Sequence, residues 1–294
     1  MGYPAFRSVL YTRGDGCEEL ATLLSDDARR VSGDLVEECI RERADLLVTR
    51  KPPGAFDLVN LAMPVNVARS KIDRVVAAVS GGPHSGLAAH LAQVLASRLA
   101  KPVAVASAFF DDENKAEAEA AVDRFADQMV EADRLVIGAA DPQSFVTQLP
   151  ERSLVVMGEP GGSLLSRLFF GAGARMRAAV PAGAVIVRHT EPRVFHLMEE
   201  PVFVGPLHHA SDALRLHRAS LIAVVENGLL VGTVRREELQ TAGPSTPVGE
   251  LMESPRSIDV AAHVSEDQGR DPLPVVDSRG RLLGTLFPGR ISPS

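Results

Sequence analysis

Between Val75 and Val187 the chain alternates short, continuous apolar runs with stretches of helical spacing, and this rhythm restricts its fold more than any other feature. The runs are Val75–Val79, Val103–Ala108, Leu135–Ile137, Leu154–Met157 and Ala184–Val187. Runs this short, with no polar residue on alternate positions, fit strands buried on both faces. Between them, Leu87, Leu91, Val94 and Leu95, and later Ala118, Val122, Phe125 and Met129, recur at the spacing of a helix face. Strands alternating with helices imply a parallel sheet covered on both sides, because right-handed crossovers place the helices there. The expectation is a doubly wound, five-stranded parallel α/β domain over residues 71–190.

Two flanking regions are set off by turn-rich or charged seams at Arg69–Asp73 and Thr190–Arg193. In residues 1–70, RADLLVTRKPPGAF (Arg43–Phe56) echoes RSLVVMGEPGGSL (Arg152–Leu164), each leading from a strand-like run into a Pro/Gly turn. With one leading strand at Ser8–Thr12, two helical stretches and the echo strand, this region reads as a degenerate half-unit that must pack on a neighbour. Residues 191–294 form an α+β region with two hairpin patterns, Leu221–Val234 and Pro272–Phe287, turning at Asn227-Gly228 and Arg279-Gly280. Each is preceded by a Met-Glu segment, Leu197–Pro201 or Leu251–Pro255.

Composition excludes several classes of function. A formal net charge of −7 is the wrong sign for a protein that gains affinity from phosphates, and a chain with no Trp and two Tyr offers few rings for stacking bases. Nucleic acid is therefore not an expected partner. The start of the chain lacks a basic stretch followed by an apolar one, and nowhere do about 18 apolar residues run without charge, so neither secretion nor membrane insertion is expected. Cys17 and Cys39 are too few for a disulfide framework and read as reduced thiols of a cytoplasmic protein. The adjacent His208 and His209 seldom reach one metal together, and Asp111, Asp112 and Glu113 read as a turn capping the next helix, so no metal is expected. Neither a G-x-S-x-G elbow nor a Cys-His arrangement is legible, and no catalytic residue is assigned.

Two segments could hold a ligand. SGGPHSG (Ser80–Gly86) links the first strand of the middle region to its first helix, where glycines let the backbone approach an anion. The plainer alternative is a tight turn with Ser85 capping the helix. The other segment, MGEPGGSLLSRLFFGAGARMR (Met157–Arg177), spaces Gly158, Gly161 and Gly171 as G-x2-G-x9-G, with Arg167, Arg175 and Arg177 nearby. This spacing and the order of strands and helices resemble the universal stress protein family. The resemblance implies nucleotide binding, with ATP or AMP as ligand, at Ser80, Gly81, Gly82, His84, Ser85, Met157, Gly158, Gly161, Gly162, Gly171 and Ala172. Where ATP-binding members carry Asp and a Ser or Thr, this chain has Ser80 and Ala172. The Ser-Gly-Gly-Pro bend is familiar from stress-protein domains attached to membrane transporters, which implies a regulatory role and a transporter partner. The family's habit of dimerising through its last strand implies a homodimer through Ala184–Val187.

Residues 191–294 resemble a shortened pair of cystathionine-β-synthase (CBS) domains. Arg235 and Glu238 stand where ligand-binding copies carry Thr and Asp, with Phe287 and Arg290 in the second copy, which implies packing or dimerisation in place of adenosine binding. SGGPHS also resembles the SGG-x-D-S loop of PP-loop ATP pyrophosphatases, with His84 in place of Asp. The alternatives to a nucleotide-binding regulator are therefore a ligand-free interaction module that regulates a membrane transporter and, second, an ATP-cleaving enzyme.

Overall fold

The computed structural model describes residues 6–51, 56–140, 142–159, 180, 182–264 and 271–287, and divides into two units, Met1–Thr190 and Glu191–Ser294. In the first unit the elements follow as β1 (Val9–Tyr11), α1 (Cys17–Leu24), β2 (Arg29–Arg30), α2 (Leu35–Arg41), β3 (Leu46–Val48) and β4 (Asn60–Val65). Then come β5 (Arg74–Ala78), α3 (Ser85–Leu99), β6 (Val103–Phe109), α4 (Asp112–Ala126), β7 (Asp133–Gly138), α5 (Pro142–Gln148), β8 (Ser153–Gly158) and β9 (Ala184–Arg188). Among the described residues no helix is long and apolar enough to cross a membrane.

The apolar runs form strands because both of their faces are covered. Val75 and Ala77 point into a core shared with Leu20 and Leu24 of α1, Leu91 and Leu95 of α3 and Val122 and Phe125 of α4. Val76 and Val155 point the opposite way, toward Phe145 and Val146 of α5. The five expected strands lie in the order β9-β8-β5-β6-β7, all parallel. The order reverses between β5 and β8.

The sheet does not stop at β9. It continues through the first region to nine strands among the described residues, β2-β1-β3-β4-β9-β8-β5-β6-β7, with β4 and β9 the antiparallel pair. The order β2-β1-β3-β4 repeats β6-β5-β8-β9, with no described counterpart of β7. The echo strands β3 and β8 hold equivalent places, each beside the last strand of its half.

This arrangement corrects the expected dimer. Ala184–Val187 lies between β8 and β4, paired on one side with Val155–Gly158 and on the other with Ala62–Val65. Both edges of that strand are satisfied within the chain, so a partner's strand cannot add there.

In the second unit each hairpin is joined by a short parallel strand: β10 (Phe203–Val204) beside β11 (Leu221–Glu226) and β12 (Leu229–Arg235), and β13 (Ile258–Asp259) beside β14 (Leu273–Val276) and β15 (Leu282–Leu286). The turn glycines Gly228 and Gly280 have φ of 82° and 75°, as their places require. The Met-Glu segments cross over: Glu199 pairs with Thr285 of the second hairpin and Glu253 with Thr233 of the first.

Candidate functional site

In open parallel sheets a ligand crevice forms off the carboxyl ends of the strands where their order reverses, since the crossovers on either side diverge there. Among strands β5 to β9 that point lies between β5 and β8, and Ser80 and Glu159 follow the carboxyl ends of these two strands. Ala78 of β5 pairs with Met157 of β8, so Ser80–Ser85 and Met157–Gly158 rise side by side from one rim. Gly161, Gly162, Gly171 and Ala172, with Arg167, Arg175 and Arg177, lie outside the described residues.

The first bend is held by its own groups. Gly81 has φ of 74°, a conformation that costs a residue with a Cβ about 1 kcal/mol or more. Ser80 N donates to Ser85 Oγ at 3.2 Å, and Ser85 N to Gly82 O at 3.0 Å. The buried Ser85 hydroxyl thus closes the loop instead of capping α3; the residue at the N-cap is His84, whose side chain makes no capping bond.

His84 reaches across the rim. Its Cβ lies against Gly158, where a methyl group would approach it to 2.7 Å, and its Nδ1 accepts from His189 N at 3.0 Å. Accepting at Nδ1 leaves a neutral ring's proton on Nε2. Burial, aided by the neighbouring His189 and Arg188 and opposed by Glu159, pushes the His84 pKa below its ordinary value. Beside it, Arg188 forms a bidentate pair with Glu159, its Nη2 donating to Oε1 at 2.9 Å and its Nε to Oε2. The guanidinium holds the Glu159 carboxyl below the usual carboxylate range despite partial burial. Arg188 Nη1 also donates to Phe56 O at 3.2 Å, tying the rim to the first half.

One residue on this rim escaped the sequence reading. Phe110, directly after β6, is 59% exposed, and β6 ends on the same rim as its parallel neighbour β5. The Phe109-Phe110 pair just ahead of an acidic turn was the available signal. Phe109 is used locally, its ring lying over Gly138. Asp111 behaves as expected, its Oδ1 accepting from Asn114 N at 3.0 Å to cap α4.

Among the described residues no group of three or more His, Cys, Asp or Glu is placed to hold a metal ion. Both cysteines are buried, and burial pushes Cys39 up to about 12. In the second unit the Arg235 guanidinium pairs with Asp271 at 3.2 Å, and Glu238 Oε2 accepts from Arg235 N at 3.1 Å. Both of these residues are therefore engaged in bonds within the chain.

No family model matches the chain, and no curated protein matches it. Solved structures do. The cytosolic domain of the Mg2+ channel MgtE in complex with ATP is 24% identical at a TM-score of 0.30, over 34% of this chain and 47% of that one. The chain thus spans about half the length of that domain. CBS domains of a transcriptional regulator from Streptococcus pneumoniae are 19% identical at a TM-score of 0.29, over 33% of this chain and 92% of that one. A universal stress protein from Archaeoglobus fulgidus is 14% identical at a TM-score of 0.37, over 59% of this chain and 76% of that one. Universal stress proteins and CBS-domain proteins are thus both among the solved structures that this chain is similar to.

Proposed function

We propose that the first unit is a regulatory module that binds an adenine nucleotide, ATP or AMP, or a related phosphate-bearing anion over the rim between β5 and β8. The observation that supports this reading is that the Ser80–Gly82 bend and the Gly158 end of β8 follow the adjacent strands β5 and β8, between which strand order reverses. Backbone N–H groups of the Ser80–Gly82 bend would meet phosphate, and the exposed Phe110 ring would stack on the base. The ligand would act by favouring one position of His84 over another, since that side chain now stands over Gly158. In this reading the second unit serves packing or dimerisation, with Arg235 held by Asp271 where ligand-binding copies carry Thr. The Ser-Gly-Gly-Pro bend, like those of stress-protein domains attached to transporters, points to a membrane transporter as the regulated partner.

Calorimetry with ATP, AMP and cyclic dinucleotides tests this, together with mass spectrometry of small molecules released from freshly purified protein. One ligand per chain is expected, with binding lost in Gly82→Val and no pyrophosphate released from ATP. Silence from every nucleotide at millimolar concentration would contradict it.

The packing of His84 onto Gly158 favours a second reading, an interaction module without a ligand. Under that reading Gly82→Val leaves association with the partner unchanged.

A further inference from the structure

We propose that a cavity of about 710 Å³ beside the β4–β9 seam is a second ligand site, one that takes a planar aromatic ring bearing an acidic group. Its size is that of pockets which enclose small organic ligands. Its walls come from both halves of the sheet: Phe6 precedes β1, Asn60 opens β4, Leu87 and His90 lie on α3, and His189 follows β9. Because β4 runs antiparallel to β9, the starts of the first-half strands face the rim where β9 ends. The cavity therefore exists only because the half-unit is paired in place. Pro83 and Gly86 of the first bend also line it while Ser80, Gly81, Gly82 and Gly158 do not, so it borders the β5–β8 site through that bend without taking in those residues.

The walls specify the ligand's chemistry. Phe6 and His90 stack with ring centroids 4.5 Å apart and planes inclined by 15°, beside the apolar Leu87. A flat ring fits such a wall better than a branched chain does. Arg7, also lining the cavity, has no carboxylate partner among the described residues. The nearby Asp45 does not supply one: its Oδ2 accepts from the backbone N–H groups of Arg7 at 2.7 Å and Ser8 at 3.2 Å, which fixes the segment carrying Phe6 and Arg7. Asn60 Oδ1 accepts from Thr190 N at 2.9 Å and lies 3.0 Å from His189 Nδ1. That places a proton on His189 Nδ1 and leaves Nε2 of the neutral ring to accept from a donor on the ligand. In a chain of net charge −7, affinity for an anion must come from such a local cation.

The test is fluorescence titration of the full chain with 8-anilinonaphthalene-1-sulfonate, an aromatic sulfonate whose emission rises in apolar surroundings. The absence of Trp leaves that signal unobstructed. One saturable site per chain is expected, weakened about tenfold or more by Arg7→Glu, as loss of a charge-assisted contact implies, and retained in Arg7→Lys. Phe6→Leu is expected to weaken it as well. Arg7 is exposed, so Arg7→Glu decides the matter even where Phe6→Leu loses cooperative unfolding. Equal binding by Arg7→Glu and wild type, or many weak sites in place of one, would each overturn the proposal.

Discussion

A methyl group on Gly158 would come within 2.7 Å of the His84 Cβ, closer than packed carbon atoms approach. Gly158 therefore acts first by admitting the His84 Cβ and backbone, and only a movement of the His84 segment would open the same space to a ligand. Gly158→Ala is expected to displace His84, break its bond to His189 N and cost about 1–3 kcal/mol, measured by urea unfolding and by the His84 imidazole resonance. An unshifted resonance would count against this packing. The acid response follows from the same ring. Its folded pKa lies below the ordinary value, so the unfolded chain binds the proton more readily, and stability is full above the ordinary imidazole range and falls as pH drops through it. Unfolding at pH 7.5 and 5.5 should show a loss at the lower pH that is smaller in His84→Gln. An equal loss in both proteins would show that His84 is not the group responsible.

Among the elements, β4 does the most to shape the fold and was the least legible. Pro64 within Asn60–Val65 argues against an interior strand, because proline cannot donate to a ladder. The structure accommodates it by stopping β3 early. Thr49 N donates to Ala62 O, so Ala62 and, two residues on, Pro64 face β3, whose pairing ends at Val48 opposite Ala62. The missing donor thus falls where no ladder continues, and β9 pairs along the other edge. The strand β2, a pair of exposed arginines, has no apolar pattern to betray it. By contrast the runs at Val75, Val103 and Leu154 were legible because burial on both faces leaves them no polar alternation. Ile186 on β9 is 1% exposed and packs with Met63 and Met157. Ile186→Asp is expected to cost on the order of 4 kcal/mol or more and to unfold the first unit without halving the sedimenting mass. Clean dissociation of a folded dimer into folded monomers would restore the intermolecular seam. In the second unit a Cβ on Gly284 would meet Glu199 O at 2.7 Å, and one on Gly232 would meet Met252 Sδ at 2.7 Å. Gly284→Val should therefore lower stability by about 2–4 kcal/mol, read from thermal unfolding. An unchanged midpoint would mean that the Met-Glu segment does not cross so closely.

At the scale of the molecule, the first unit joins two similarly ordered strand sets into one sheet through the antiparallel pair β4–β9. The internal echo made a half-copy visible, yet the pairing of Leu61–Val65 with residues more than 100 positions later could not be read, because local spacing does not specify which distant strand fills an open edge. The candidate site was legible to the extent that glycines mark bends after apolar runs. What the glycines did not reveal was His84 packing onto Gly158, since a contact between Gly158 and a residue on another loop leaves no local signal. The central claim is that a phosphate-bearing ligand settles over the point where strand order reverses. Hydrogen exchange of the full chain with and without ATP measures this most directly. The account expects slowed exchange confined to the amides of Ser80–Ser85 and those that follow Met157; protection elsewhere with these amides unchanged would contradict it.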